Sequence, residues 1–425
     1  MKKRTVSEKV ERIELTYLDI PFTPHSGKHL QYWIPHWRIS QLCKITLDSG
    51  QVGWGETIPN YTWCRVPDNV AERVVGRHPA EVMWDDSLGA GVQMALFDVV
   101  GKTENVPVYR LLGTKVRDWC PIAWWTIDMP PEEWAEECRQ AVDAGYTSAK
   151  LKARPWFDLH AGIQAIQKVV PQHFKLDLDY NATLGNSANA VPHLKELEEY
   201  HLVGMIESPI PQGDVAGNRQ IRNRVNLPIA MHYGNPSIMT ALREDVTDGF
   251  VLGAGASRLL RQAAICEEAN KPFWLQLVGT GITTTWAAHL GAVLPQAQWP
   301  AITCMNIREH QLIKPGIEVR SGFHRVPEGP GFGIQVDEAA VEHYRVDYSS
   351  CLAPRHLYRY VRASGEATYY ACSEKELCDI YVQDAQPISE RGSRLEIIPD
   401  DGSEGFARLY AAANKASVQP TPFFT

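Results

Sequence analysis

The residues that invite chemistry lie in a run of short motifs between positions 150 and 233. Lys150 and Lys152 are separated by one residue in SAKLKAR; on a strand, a side-chain period of two puts both ammonium groups on one face. Further along, Asp179 and Asn181 end FKLDLDYN, Glu207 ends LVGMIE, and His232 with Tyr233 ends LPIAMHY. Asp179 and Glu207 are 28 positions apart, and Glu207 and His232 are 25. Each interval is about one strand plus one helix, so two carboxylates and an imidazole fall side by side at the ends of consecutive strands. That is a metal-ligand arrangement, and the two ammonium groups beside it could move protons or neutralise an anion. Any one of the three, taken singly, is as readily a helix N-cap or a loop ion pair. Three on adjacent strands are not.

These motifs need a scaffold that gathers strand ends. After Trp119, short apolar runs alternate with amphipathic helical stretches, the signature of parallel βα units. The strand candidates are PIAWWTI, SAKLKAR, FKLDLDY, LVGMIES, LPIAMHY, GFVLGA, PFWLQLV and AITCMNI. Eight strands with seven intervening helices are what a closed barrel needs, and polar groups at their C-terminal ends share one mouth. Pro130-Pro131 opens one intervening helix and Gly145 closes it. Upstream, ERIELTYLDI and QLCKITLDSGQVGWGE read as strands with an Asp48-Ser49-Gly50 turn, and Val70 to Leu112 has helical spacing that ends at Gly113. The expected fold is therefore α/β: a (β/α)7β TIM-like barrel over 119–325 with an N-terminal α+β capping domain over 1–118. A segment at 326–345 returns to the cap, and an aromatic-rich, ordered C-terminal extension of short strands fills 346–425.

Composition narrows the function. A chain of 425 residues that is 44% hydrophobic holds two or three domains with a sizeable core. The net charge of −8 is spread without a basic block, so nucleic acid and anionic membranes are not expected partners. Nine cysteines with no C-x-x-C pair fit reduced thiols rather than a disulfide framework or a cysteine metal site. The start is basic but has no apolar run of signal-peptide length, and no segment reaches membrane-spanning length, so a cytoplasmic protein is expected.

Lys150-Leu151-Lys152, Asp179-Tyr180-Asn181 and Ile206-Glu207-Ser208-Pro209 resemble the K-x-K, D-x-N and E-x-P elements of the mandelate racemase and muconate lactonizing enzyme branch of the enolase superfamily. Gly53-Trp54-Gly55-Glu56, AGVQMALFDVVGKTENVPVYRLLG and Pro330-Gly331-Phe332-Gly333 are similar to hallmarks of its capping region, so the resemblance spans about residues 10–345. It implies a divalent metal, usually magnesium, held by three carboxylates and clamping a substrate carboxylate. It also implies a base that removes the neighbouring proton, with metal and ammonium stabilising the enediolate. Carried over, Lys152 is the base, lowered in pKa by Lys150 and the metal, and Lys150 faces the anion. Asp179, Glu207 and His232 take the metal positions and Asn181 a substrate-binding one. The partner is a small-molecule carboxylate, and the assembly a homo-oligomer.

The chain departs from that pattern in two places. His232 stands where the family has a carboxylate, which leaves two negative charges; magnesium would be held more weakly, and manganese, zinc or no ion are the alternatives. Asp248 matches the aspartate of the family's His/Asp dyad, but its histidine falls at Gln276, which takes no proton at neutral pH. The alternative lysine falls at Val251. A single-sided lysine site suits loss of water from a hydroxy acid or acid sugar, with Tyr233 as a candidate acid; a racemase or cycloisomerase would need a base on the opposite face. A barrel that only binds a ligand or partner is the reading from a different class. Lid loops are expected near 20–37 and 58–68. In the first, His25, Lys28 and His29 would meet an anionic substrate while Trp33 excludes water; Tyr61, Trp63 and Arg65 lie in the second.

Overall fold

The computed structural model describes residues 8–59, 61, 65–348 and 352–413, and Trp63 lies outside them. The chain forms two compact units, one of Met1–Thr23, His36–Trp125 and Phe250–Cys351, the other of Pro24–Pro35, Thr126–Gly249 and Leu352–Thr425.

In the first unit, strands Val10–Asp19, Ile39–Leu47 and Val52–Thr57 form an antiparallel sheet. Helix Ala90–Thr103 packs against it so closely that only glycine fits at two positions: a Cβ on Gly53 would come 2.1 Å from Ala95 O, and one on Gly55 2.0 Å from Gly91 O. The next residue of that motif, Glu56, accepts the backbone N–H groups of Thr280 and Thr283 and the Thr280 hydroxyl at the start of helix Gly281–Val293. A carboxylate there satisfies orphan donors and complements the helix dipole. Asp98 does similar work, accepting from Phe332 N (2.7 Å), Trp54 N (2.9 Å) and Lys102 Nζ (2.7 Å). Gly331, at φ 65°, passes so near Asp98 that a Cβ would sit 2.3 Å from its Oδ1. The capping motifs are thus packing and capping devices.

The same unit carries the parallel pairing of Gly249–Leu252 with Phe273–Leu275, and parallel bridges join Gln276 to Ile302 and Ile122 to Ala301. The strand expected in AITCMNI is cut to these bridge residues, because Cys304 adopts φ 55° and turns the chain into a 3-10 helix at Met305–Ile307.

The second unit holds four consecutive parallel strands, Ser148–Lys152, Lys175–Asp179, Val203–Glu207 and Ile229–His232. Helices Leu159–Gln167, Ser187–Leu197 and Val215–Arg224 connect them. Each helix begins on a polar cap, Asp158, Asn186 or Asp214, whose side chain accepts a backbone N–H three residues on. Interior residues of the strands, such as Leu151, Leu178 and Ile206, are fully buried, as expected of parallel strands covered on both faces.

The C-terminal extension belongs to this unit. Strand His356–Val361 is flanked by Ala367–Tyr370 and Arg394–Pro399, all antiparallel. Helix Glu374–Gln383 starts on a Ser373/Glu376 capping box. The extension is tied to the loop after the lysine strand: Ser389 N donates to Pro155 O at 2.7 Å, and Gly392 N to Asp158 Oδ2 at 2.8 Å. Among the described residues no helix is long and apolar enough to cross a membrane.

Candidate active site

The register of the second unit decides which side chains meet. Lys152 pairs with Asp179, Asp179 with Glu207, and Glu207 with Ala230, so one row crosses four strand ends. Neighbouring strands lie about 4.8 Å apart, which brings these side chains within contact of one another. Lys150 sits one layer deeper, opposite Asp177.

The two lysines end in different surroundings. The Lys150 side chain is 1% exposed, and its Nζ lies 3.3 Å from Asp179 Oδ2 and in contact with Glu207 Oε2. Lys152 is 16% exposed; its Nζ donates to Asp179 Oδ2 at 2.7 Å and to Asn181 Oδ1 at 2.9 Å. Burial alone would raise the Asp179 carboxyl, but the ammonium groups of Lys152 and Lys150 outweigh it and hold it well below the usual carboxylate range. Asp177 goes the other way: burial pushes it up to about 7, with Lys150 pulling against that and Glu207 adding to it. His232 Nε2 is 3.0 Å from Glu207 Oε1. Tyr233 follows it in the turn after the strand, half-buried.

Three non-glycine residues beside these carboxylates have left-handed backbones: Asn181 at φ 46°, Ala182 at 69° and Ser208 at 45°. Asn181 tolerates this by closing a turn from its own N–H to Asp179 Oδ1 at 3.0 Å. Ala182 and Ser208 have no such compensation in type, and strain of this sort, about 1–3 kcal/mol per residue, gathers at functional sites.

Two residues of this neighbourhood carry no signature in the sequence. Gln212 takes a hydrogen bond from His232 N at 2.9 Å and returns one to His232 O at 3.1 Å, while Ser208 Oγ donates to its Oε1 at 3.0 Å. It fixes the imidazole's backbone from the preceding loop. Arg154, two residues beyond Lys152, is buried and ion-paired with Glu374 of the extension. Nothing in SAKLKAR marks that partner.

Other expected site residues are placed elsewhere. Asp248 precedes its strand and binds Arg222 Nη2 and the Ile229 N–H, both at 2.9 Å, at the N-terminal end of the strands and not the mouth end. Its position just before GFVL carried that signal. Gln276, in the first unit, donates to Tyr61 Oη at 2.8 Å. The stretch expected as a lid loop is a helix, Pro24–Trp33, docked on helix Pro131–Asp143. His25 Nε2 lies 3.2 Å from Glu133 Oε2, Lys28 Nζ 3.7 Å and His29 Nε2 3.9 Å from the same oxygen. Burial pushes the His29 imidazole down to about 4, against the pull of Glu133. Trp33 is stacked between Trp156 and Tyr358, with ring centroids 5.9 Å and 4.7 Å away.

A divalent ion must be judged against these donors. Magnesium needs about six hard oxygen ligands in near-octahedral order. Here two carboxylates already face ammonium groups, the third position is an imidazole, and among the described residues no three His, Cys, Asp or Glu side chains are arranged to hold an ion. The set does not fit magnesium.

Residues 133–340 match the family model described as enolase C-terminal domain-like. The chain is 27% identical over 334 residues to an o-succinylbenzoate synthase of Bacillus subtilis, covering 70% of this chain and 86% of that one. It is 26% identical over 307 residues to an N-succinyl-L-Arg/Lys racemase of Bacillus cereus, at 67% and 75% coverage. To a D-gluconate dehydratase of Thermoproteus tenax it is 24% identical over 358 residues, at 73% and 70%. Among solved structures, a 2-chloromuconate cycloisomerase from Rhodococcus opacus superposes with a TM-score of 0.66 at 18% identity, over 80% of this chain and all of that one. That structural likeness shows the fold, an α/β barrel of the TIM type.

Proposed function

Because the chain belongs to the mandelate racemase and muconate lactonizing enzyme branch of the enolase superfamily, we propose that it removes the proton next to the carboxylate of a small hydroxy acid and eliminates water from it. The observation that carries this reading is the division of labour between two ammonium groups on one strand: Lys150 buried against Asp179 and Glu207, Lys152 reachable from solvent.

In this reading Lys152 Nζ takes the proton from C2. Charge that moves onto the substrate carboxylate is met by the Lys150 ammonium, held ready by two buried carboxylates and needing no reorganisation. For a 2,3-dihydroxy acid the C3 hydroxyl leaves as water with a proton from Tyr233, and the resulting enol at C2 ketonises to a 2-oxo acid. Asn181 holds the Lys152 ammonium in place between turnovers. Members of the superfamily typically bind a divalent metal, magnesium; since the donors here do not fit it, Lys150 is assigned the cationic role.

Relatives include synthases, racemases and a dehydratase. Loss of water is favoured over racemisation because Gln276, which takes no proton, stands where an opposing histidine base would, and Asp248, the aspartate of that dyad, is engaged by Arg222 at the far end of its strand.

The test is exchange of the C2 proton of hydroxy acids in D2O, followed by NMR, with and without EDTA. Exchange and 2-oxo acid formation that survive EDTA and vanish in Lys152→Ala support the reading. Exchange that persists in Lys152→Ala, or an activity restored only by manganese or zinc, overturns the assigned roles.

A further inference from the structure

Residues up to Thr23 and from His36 belong to the first unit, while the stretch between them, Pro24–Pro35, belongs to the second. That excursion carries helix Pro24–Trp33, and three elements of the second unit hold it. Near its start, Ser26 Oγ donates to Glu137 Oε1 at 2.5 Å and His25 lies beside Glu133, both on the opening turns of helix Pro131–Asp143. At its other end Trp33 lies flat between two rings, 6° from the plane of Trp156 and 20° from that of Tyr358. Its neighbour Tyr32 meets His356 edge-on, with centroids 5.0 Å apart. Trp156 comes from the loop that follows Lys152, and Tyr358 and His356 come from the C-terminal extension.

The rings that receive Trp33 are themselves fixed. Trp156 is fully buried, its Nε1 donates to Asp128 Oδ2 at 2.8 Å, and Tyr381 of the extension meets it edge-on at 5.6 Å. Tyr358 is fully buried in the central strand of the extension's sheet, paired with Tyr370 on one side and Ile397 on the other. The docked helix, in contrast, strands polar atoms: Trp33 Nε1, His29 Nε2 and Tyr358 Oη are buried and carry no hydrogen bond among the described residues. Water would meet each of them if the helix lifted, so all three weigh against the docked state. The approaches of Lys28 and His29 to Glu133, at 3.7 and 3.9 Å, are too long to be hydrogen bonds. Beyond the Ser26 bond, the ring stack is what holds the helix down. A ten-residue helix held in this way belongs to the low-stability end of the structure, from which local opening is drawn.

We propose that the C-terminal extension is a latch on this helix: it holds Tyr358 against Trp33 and so sets how often the helix lifts from the strand end that carries Lys152. The contacts place the helix at that end, since Trp156 follows Lys152 in the same loop and Glu133 and Glu137 lie in the first turns of a helix that starts shortly after strand Trp124–Thr126. Both partners of the latch lie outside residues 133–340, the part matched to the family model. That the lifted state admits a small-molecule carboxylate rests on the proposed reaction; the latch itself does not.

The test is hydrogen–deuterium exchange of the full chain, read by mass spectrometry with no substrate added. In the wild type the amides of helix Pro24–Trp33 exchange faster than those of helix Ser187–Leu197. Tyr358→Ala speeds exchange over Pro24–Trp33 at least about tenfold and leaves Ser187–Leu197 unchanged. Tyr358→Phe keeps the ring and drops only a hydroxyl without a hydrogen bond, so exchange stays at or below the wild-type rate. Trp33→Leu removes the stack from the helix side and leaves the strand of the extension intact; it gives the same acceleration, and it decides the matter if Tyr358→Ala unsettles the extension. Wild-type exchange over Pro24–Trp33 no faster than over Ser187–Leu197, a rate that Trp33→Leu leaves unchanged, or an acceleration spread evenly over the chain overturns the latch. Because no substrate is present, a chain that never exchanges a C2 proton can still show the latch, and a chain without the latch can still exchange that proton.

Discussion

Glu56 and Glu207 are both buried glutamates at 1% exposure, and they are held in opposite ways. The oxygens of Glu56 are met by backbone N–H groups and hydroxyls that cannot leave. Those of Glu207 face the Lys150 ammonium and the His232 imidazole, groups carried on side chains and not on the backbone. The first arrangement caps a helix and is finished. The second keeps charge concentrated and accessible to rearrangement, which is what a group that stabilises a changing charge requires. Burial of a carboxylate is therefore not the mark of the site; the identity of its partners is.

That contrast can be broken by mutation. The largest effect expected is on chemistry: Lys152→Ala lowers the C2 exchange rate by roughly 10²- to 10⁴-fold, the range of a positioned base, while the melting temperature stays near that of wild type. Glu56→Ala should do the reverse. It strands two buried helix N–H groups and costs about 2–4 kcal/mol in denaturant unfolding, with exchange per folded molecule unchanged; a rate loss without instability would erase the distinction drawn here. Gln212→Ala sharpens the comparison from the loop side. It frees the backbone of His232 and lowers the rate of exchange, at a cost in unfolding of only about 1 kcal/mol, less than that of Glu56→Ala.

The smallest effect is a pH slope. Burial pushes the Asp128 carboxyl up to about 7, against the pull of Arg154. Its folded form therefore holds a proton more tightly than the unfolded chain does, and stability falls as pH rises from about 4 through 7. Asp128→Asn has no such proton to lose, so its unfolding free energy should decline less over that window; equal slopes for the two chains would remove Asp128 from the account.

The lid helix and the extension differ from the rim in the same sense. His25, Lys28 and His29 read as cations awaiting an anionic substrate, and the structure supplies their anions from within, on Glu133. Trp33, expected to shield the mouth from water, shields its own ring between Trp156 and Tyr358. A histidine or tryptophan in a loop signals capacity for contact, not the partner.

The sequence by itself determined the order of strands and helices, the common face of Lys150 and Lys152, and the row of Lys152, Asp179 and Glu207. These follow from local periods of 2 and 3.6 and from intervals of one βα unit, which any folded form of the chain must respect. It also carried GWGE, as a family likeness; that its glycines let a helix approach the strand was seen only in the structure. Only the tertiary structure decided which ammonium is sealed and which is reachable, that Asp248 sits at the far end of its strand, that Cys304 cuts the eighth strand short, and that Arg154 meets Glu374 across 220 positions. Desolvation and long-range pairing depend on what closes over a residue from elsewhere in the chain, and no period or spacing near that residue records it.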